Sequence, residues 1–590
     1  MEKKIEENDV VYTIDGTNGG CVDIDVKPGV EEVSFEASFG REYLLGDCKK
    51  VFPDVRKIVI DYSVYNIDIP NTLFPNVKEV KSDNYYGKYT KNGSVLLKDD
   101  YHGQILTNTF AKKADETVDL KYATKIENDA FSGCMATKII NSGSVVSCAE
   151  YAFRNSAIGN LKPEPDGAVV AGSILVNIDE SAENIILPDK RVSLTAMRDG
   201  INFDNVKSIT ANRAQTVINL RYKLPVGIKI ILKDKSYITD EQLSEWSPFP
   251  ILELTEDNPY YSTKDGCLLS KDCLVLVKYP SAISGTVHIP DGIETITSYA
   301  FILSDAEEVY FPDSMKVLMP NCFWLCDKLK KVDFGHGIEE IGIGHDCRLF
   351  MQCSMLHEIE IPSQVRIIGE SAFLETGISK VTFHEGLTQI MDYAFKQSCV
   401  KEITLPASLK YIGRQSFLGV DSVTLSSDDM PYGIAEAITS NTAPDNSSTC
   451  IKIKKPTTTV FMPRCIVPEN AATLDTRLAI PSFRENCEKS LYDYGIQPES
   501  KWKTAIETMK EYPNDTVKTY LRRVSKNIVA MYMNLGDEAG LVDFIKLGIM
   551  TPKALDDTYK KAREKGLTTV MAYICEAQSG PDKKTSSLSL

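Results

Sequence analysis

Six residues able to hold a soft metal fall in one short stretch: Cys322, Cys326, His336, His345, Cys347 and Cys353. Thiolate and imidazole are zinc ligands, so the cluster invites a metal reading. Its spacing favours a structural one. Cys134, Cys326 and Cys353 each stand three residues after a phenylalanine, Phe131, Phe323 and Phe350, while Ser156 and Ser304 stand in the same place after Phe153 and Phe301. A slot that takes cysteine or serine alike is a small-residue position in a repeating core, where free cysteine is commonly buried. His345 and Cys347 fall in a small insertion that stretches one repeat, and they keep the metal alternative open. The expectation is that neither metal nor cofactor is bound.

Other chemistry finds little support. The chain has no phosphate-cradling Gly-x-x-x-x-Gly-Lys loop, no His-Glu-x-x-His pair and no Gly-x-Ser-x-Gly elbow. Six histidines leave few acid/base candidates, and nothing marks two carboxylates as opposed across a cleft. The Asp-Gly and Asn-Gly pairs lack the alternating oxygen ligands of a calcium loop and read as hairpin turns. No catalytic residue is expected.

A row of side chains remains that could bind rather than react: Glu308 and Tyr310, Lys331 and Asp333, Glu358 and Glu360, Lys380 and Thr382, Glu402 and Thr404. Each pair alternates with apolar residues in a short phrase: AEEVYFP, LKKVDF, LHEIEIP, ISKVTF and VKEITLP, with VDSVTL after them. Alternation with period two sends Val309 and Phe311, Ile359 and Ile361, and Ile403 and Leu405 to one face of a strand, and the polar row to the other. A second phrase lies between these strands and ends in a small residue and Phe: IETITSYAF, MKVLMPNCF, VRIIGESAF, LTQIMDYAF and LKYIGRQSF, with an earlier copy, ATKIENDAF. Neighbouring phenylalanines are mostly about 22 residues apart, inside the range of leucine-rich repeats. One such coil cannot bury its apolar side alone, so stacked coils must share a ladder of Ile, Leu and Phe. Stacking also lines up the polar row on an extended face, either a binding surface or a merely solvated one. Tyr310 is its best anchor.

These phrases resemble the BspA-like leucine-rich repeats of bacteria. The resemblance rests on Ile-x-x-x-Ala-Phe and Ile-Pro, and on the lead-in LTEDNPYYSTKDGCLLSKDCLVLVKYP followed by VHIPDGIETI. That lead-in looks like the family's hairpin insert, turning at Asp265-Gly266, with weaker versions around Asn92-Gly93 and Asp166-Gly167. The likeness is strong from about Leu252 to Leu425. It is diffuse from about Val30 to Ile230, where VEEVSF, VRKIVI and AENIILP survive. It implies a fold and a role in protein or surface binding, with many members secreted adhesins, and it implies no active site.

After Ser426 the periodicity changes. The segment 426–500 reads as a cap or connector, and from Lys501 the pattern is helical, with Val517, Leu521, Val524, Ile528 and Met531 recurring at three and four. Gly536, Gly548 and Gly566 stand where helices end, and Thr551-Pro552 where one begins. Short helices with Leu-Gly turns resemble ankyrin-type repeats, although the Thr-Pro-Leu-His phrase is absent. The expected fold is α/β. A right-handed leucine-rich repeat solenoid with hairpin inserts (1–250 divergent, 251–425 regular) is followed by the connector, an ankyrin-like all-α domain (501–580) and a disordered tail (581–590).

Composition fixes the class of partner. A net charge of −16 repels phosphate backbones and anionic lipid, and no basic run offsets it. No stretch reaches the roughly 20 apolar residues of a membrane span, and the start lacks an apolar leader segment. Fifteen cysteines without a dense framework fit a reducing compartment. The expectation is a cytoplasmic, non-catalytic scaffold that binds a protein, not nucleic acid or membrane. The alternatives are a surface or secreted adhesin and an enzyme hidden between about Leu161 and Tyr260.

Overall fold

The computed structural model describes residues 2–579 except 18, 39–40, 83–87, 90, 92, 101, 189–193, 343 and 443–448. The expected tail and the Asn92 half of one turn signal lie outside the described residues. The chain divides into two compact units, Met1–Lys271 with Pro280–Ala282, and Asp272–Tyr279 with Ile283–Leu590.

The first unit opens on an antiparallel meander, Lys3–Glu7, Val10–Ile14 and Cys21–Val26. Parallel ladders follow. Glu32–Phe35, Lys57–Ile60 and Glu79–Ser82 pair in register, as do Asn184–Ile186, Ser208–Ala211, Lys229–Leu232 and Ile251–Leu254. The VEEVSF and VRKIVI phrases are strands of the first ladder, and Val33, Phe35, Ile58 and Ile60 fill its core as their alternation requires.

Hairpin inserts interrupt the coils. Tyr261–Lys264 and Cys267–Ser270 pair around Asp265-Gly266, both at positive φ, the geometry in which a two-residue turn matches strand twist. The pair Asp166-Gly167 behaves differently. Ala168–Ala171 pairs with Ile174–Ile178, so the hairpin turns at Gly172-Ser173. Asp166-Gly167 instead makes an entry turn, closed by the Gly167 N–H to the Glu164 carbonyl at 2.8 Å. Likewise Leu96–Asp100 pairs with Gly103–Asn108, beyond Gly93. Asp166-Gly167 thus marks the approach to its insert rather than the turn, and Gly93 stands before its own hairpin.

In the second unit the two repeat phrases become two kinds of strand. The polar-apolar phrases give Gly285–His288, Ala306–Tyr310, Lys331–Asp333, Glu358–Ile361, Lys380–Phe383, Glu402–Leu405 and Ser422–Leu425. The Ile-containing phrases give two-residue strands, of which Glu340–Ile341, Ile367–Ile368, Gln389–Ile390 and Tyr411–Ile412 form one parallel sheet. Each then turns a corner through a left-handed residue two positions before the phenylalanine, as at Ser371, Tyr393 and Gln415. The corner N–H groups donate to the next coil, Ser371 to Asp392 and Tyr393 to Arg414. The residue between corner and phenylalanine is small because it is buried there: Ala372, Ala394 and Ser416 have no exposed surface. The phenylalanine rings stack in file, with centroids 4.5 Å apart for Phe301 and Phe323 and 4.9 Å for Phe373 and Phe395 and for Phe395 and Phe417.

The connector is more ordered than its composition suggests. Cys450–Lys454 continues the parallel ladder from Ser422–Leu425, and Thr459–Pro463 closes it antiparallel. Helices already stand inside the connector, before the expected start at Lys501: a short one, Ile434–Ile438, and then Pro468–Leu478 and Pro481–Glu488, the last two each with Pro in the first turn, where its missing N–H costs nothing. Farther on, Asp515–Leu535 ends at left-handed Gly536, and the Thr551 hydroxyl caps Pro552–Glu564 by accepting from the Ala554 N–H. Val517, Leu521 and Ile528 are buried in the helical core, and Val524 and Met531 pack against it.

Asp475, buried on the Pro468–Leu478 helix, accepts from the N–H groups of Ala435 at 2.7 Å and Glu436 at 3.0 Å. Burial pushes its carboxyl up to about 7, and the Glu436 charge adds to this against the two N–H donors. The folded state therefore holds a proton that the unfolded chain releases near pH 4. Stability from this group is full below that value and is lost as pH rises to about 7, at up to about 1.4 kcal/mol per pH unit. Melting curves at pH 5 and pH 6 should show wild type falling relative to Asp475→Asn. Parallel pH profiles would contradict the assignment.

Candidate binding face

The outward residues of the strand phrases are held by the buried ones between them. Val309, Val332, Ile359 and Ile403 point into the core, so Glu308, Tyr310, Lys331, Asp333, Glu358, Glu360, Lys380, Thr382, Glu402 and Thr404 must point away. Register sets their neighbours: Glu308 opposite Lys331 and Tyr310 opposite Asp333, Glu358 opposite Lys380 and Glu360 opposite Thr382, Glu402 opposite Ser422 and Thr404 opposite Thr424. The ten residues thus lie in three hydrogen-bonded blocks. No strand pairing joins Lys331–Asp333 to Glu358–Ile361, or Lys380–Phe383 to Glu402–Leu405, among the described residues.

Within the first block Tyr310 is the hub. Its ring stacks on His288 at 4.8 Å, its hydroxyl donates to Glu308 Oε2 at 2.8 Å, and Lys331 Nζ donates to that hydroxyl at 2.9 Å. This contact holds the Lys331 ammonium above the ordinary lysine range. In the second block Lys380 pairs with Glu358 at 3.1 Å and His384 with Glu360 at 2.9 Å. Such exposed pairs add little stability, but they fix the pattern of charge a partner meets.

A groove of about 770 Å³ lies where the first block gives way to the second. Val332, Phe334 and Ile359 form its apolar floor, and Lys331, Asp333, Glu358, Glu360 and Lys380 line it with Met355, His336 and His357. Gln364 Nε2 donates to the Gly335 carbonyl at 2.7 Å across this seam. Met355, His336 and His357 were not singled out by alternation, because they flank the strands. The signal that marks them is spacing: Phe323 and Phe350 are 27 positions apart where the next rings, Phe350, Phe373 and Phe395, are 23 and 22 apart. The extra residues lie in the loop carrying His345 and Cys347, in the stretched coil.

The metal-type cluster is split between core and surface, its cysteines inside and its two histidines outside. Cys322, Cys326, Cys347 and Cys353 lie in the core, with Cys326 Sγ 3.0 Å from the Phe301 carbonyl and Cys353 Sγ 3.2 Å from that of Phe323. Burial pushes the Cys322 and Cys353 thiols well up, which keeps them protonated. His336 and His345 stand on the surface, facing Asp313 and Glu370. No three His, Cys, Asp or Glu converge on a metal position among the described residues.

The repeat geometry agrees with the family model that matches the chain. The family model for the BspA type leucine rich repeat region matches in six copies over residues 103–212, 281–345 and 343–459. Among curated proteins none matches. Solved structures similar to this chain include a leucine rich cell surface protein from Faecalibacterium prausnitzii, 17% identical, covering 70% of this chain and 94% of that one at a TM-score of 0.22. A leucine-rich repeat protein from Eubacterium ventriosum is 14% identical, covering 75% and 96% at 0.27. The pneumococcal vaccine antigen PcpA is 14% identical, covering 72% and 94% at 0.21. The six copies and the stacked strands that carry them make the matched part of this chain, just under half of its length, a run of BspA-type leucine-rich repeats.

Proposed function

We propose that the chain is a non-catalytic scaffold that binds a protein on its strand face, centred on the groove between Lys331–Asp333 and Glu358–Ile361. The observation that carries this reading is the break in the strand pairing, which supplies depth and an apolar floor on a face otherwise edged by charge. Binding energy concentrates where an apolar pocket is ringed by polar groups, and aromatic residues lead among hot spots. Tyr310, held on three sides, loses little freedom when a partner covers it. The helical end, read as ankyrin-like, offers a second docking surface.

No helix among the described residues is long and apolar enough to cross a membrane. The chain's side of the membrane is a separate question, which protease treatment of intact cells answers. Survival of the chain supports the cytoplasmic scaffold, and its digestion supports a surface adhesin. For the face itself, partners are captured from lysate with wild type and with a Tyr310→Ala, Glu358→Ala, Glu360→Ala variant of equal melting temperature. Wild type should hold a partner at least about ten-fold more tightly, the effect of roughly 1.4 kcal/mol. Equal retention would move the site to the helical end or elsewhere.

A further inference from the structure

The first unit carries a strand that is paired on one side only. Lys3–Glu7 runs antiparallel to Val10–Ile14 and is the end strand of its five-stranded sheet, so among the described residues its outer edge has no neighbour. Asn8 and Asp9, both at positive φ, join the two strands in a two-residue turn. In such a hairpin the closing pair, Glu7 and Val10, exchanges both main-chain hydrogen bonds, and every second pair does the same. Lys3, Ile5 and Glu7 therefore direct their N–H and C=O groups at Val10–Ile14, while those of Lys4 and Glu6 point outward. Both of these residues are exposed.

An open edge is a template for another strand, and charge along it is the usual deterrent. Here the charges complement themselves, because the strand reads Lys-Lys-Ile-Glu-Glu. A second copy laid antiparallel with Ile5 opposite Ile5 sets Lys3 against Glu7 and Lys4 against Glu6, on both sides of the centre. A parallel copy would set like against like, and a slip of two residues would set Lys4 on Lys4 or Glu6 on Glu6. Opposite charges across strands stabilise a pair and like charges destabilise it. The same register turns the outward groups of Lys4 to those of Glu6, so the two exchange main-chain hydrogen bonds. Lys3, Lys4 and Glu7 form no ion pair within the chain among the described residues. Glu6 shares Lys27 with Asp9 at 2.9 Å, yet its side chain stays 59% exposed. We propose that two copies of this chain join through Lys3–Glu7 as antiparallel edge strands, related by a two-fold axis at Ile5. So short a contact buries less surface than a standard interface, and the dimer is weak and reversible.

Sedimentation equilibrium of the untagged full chain at about 0.1 mM, a concentration that populates a weak dimer, should show the dimer. Lys3→Glu with Lys4→Glu, and separately Glu6→Lys with Glu7→Lys, give the edge a single sign. Each should weaken dimerisation at least about ten-fold. Mixed in equal amounts, the two variants should pair with each other, since glutamate then meets lysine at every charged position. All four positions are exposed, so melting temperatures should match wild type. Should one variant fail to fold, the other decides. A monomeric wild type, a folded variant that dimerises as tightly as wild type, or a mixture of the two folded variants that stays monomeric would overturn the proposal.

Discussion

Phe395→Ala should lower stability by about 3 to 5 kcal/mol, the cost of truncating a fully buried aromatic. The ring has no exposed surface and stacks on Phe373 and Phe417 at 4.9 Å on either side, while Phe383 meets it edge-on at 6.0 Å. Its neighbours cannot close the gap, because each is fixed by its own left-handed corner and by hydrogen bonds to the next coil. The loss should appear as a lower denaturant midpoint for the second unit. An unchanged midpoint would mean that the stacked rings do not form the core.

Glu488→Ala should cost a similar amount, about 3 to 5 kcal/mol, by a different mechanism. Lys455 Nζ, at the end of the Cys450–Lys454 strand, lies 2.8 and 3.0 Å from the two Glu488 oxygens on the Pro481–Glu488 helix. The two side chains are only 6% and 9% exposed. Removing the carboxylate leaves the ammonium out of water without the group it is bonded to. Replacing both partners, as Lys455→Met with Glu488→Leu, removes that penalty and should restore most of the loss. A double variant as unstable as the single one would show that packing, and not charge, holds the helix there.

Alternation and spacing made the repeats legible. Val309, Ile359 and Ile403 lie inside because a strand offers two faces, and the Phe phrase recurs because each coil must hand its ring to the next. The same physics explains the cysteines: Cys326 and Cys353 fall in the slot held by Ser304, and all three are buried. What escaped the sequence was set by tertiary pairing. The extension of the ladder through Cys450–Lys454 was hidden by the length of chain, with the Ile434–Ile438 helix in it, that separates it from Ser422–Leu425, and the Pro468–Leu478 and Pro481–Glu488 helices by their Ser, Thr and Asn residues. Asp166-Gly167 carries a hairpin signature yet turns the chain before the hairpin, since a two-residue motif cannot show which strands it separates. The groove was visible only as an irregular interval. Five or so extra residues in one coil read as an insertion, and the unpaired seam beside it depends on how two coils fail to meet.

Binding at that seam is tested most directly by two exposed methionines on different strand ladders, Met355 in the groove and Met319 after the short Val317–Leu318 strand. The dissociation constant of the captured partner is measured for Met355→Arg and Met319→Arg, each a surface change that leaves the core intact. Met355→Arg should weaken binding at least about ten-fold, and Met319→Arg should leave it unchanged. Equal affinity in both variants, or loss in Met319→Arg alone, would contradict a binding site in the groove.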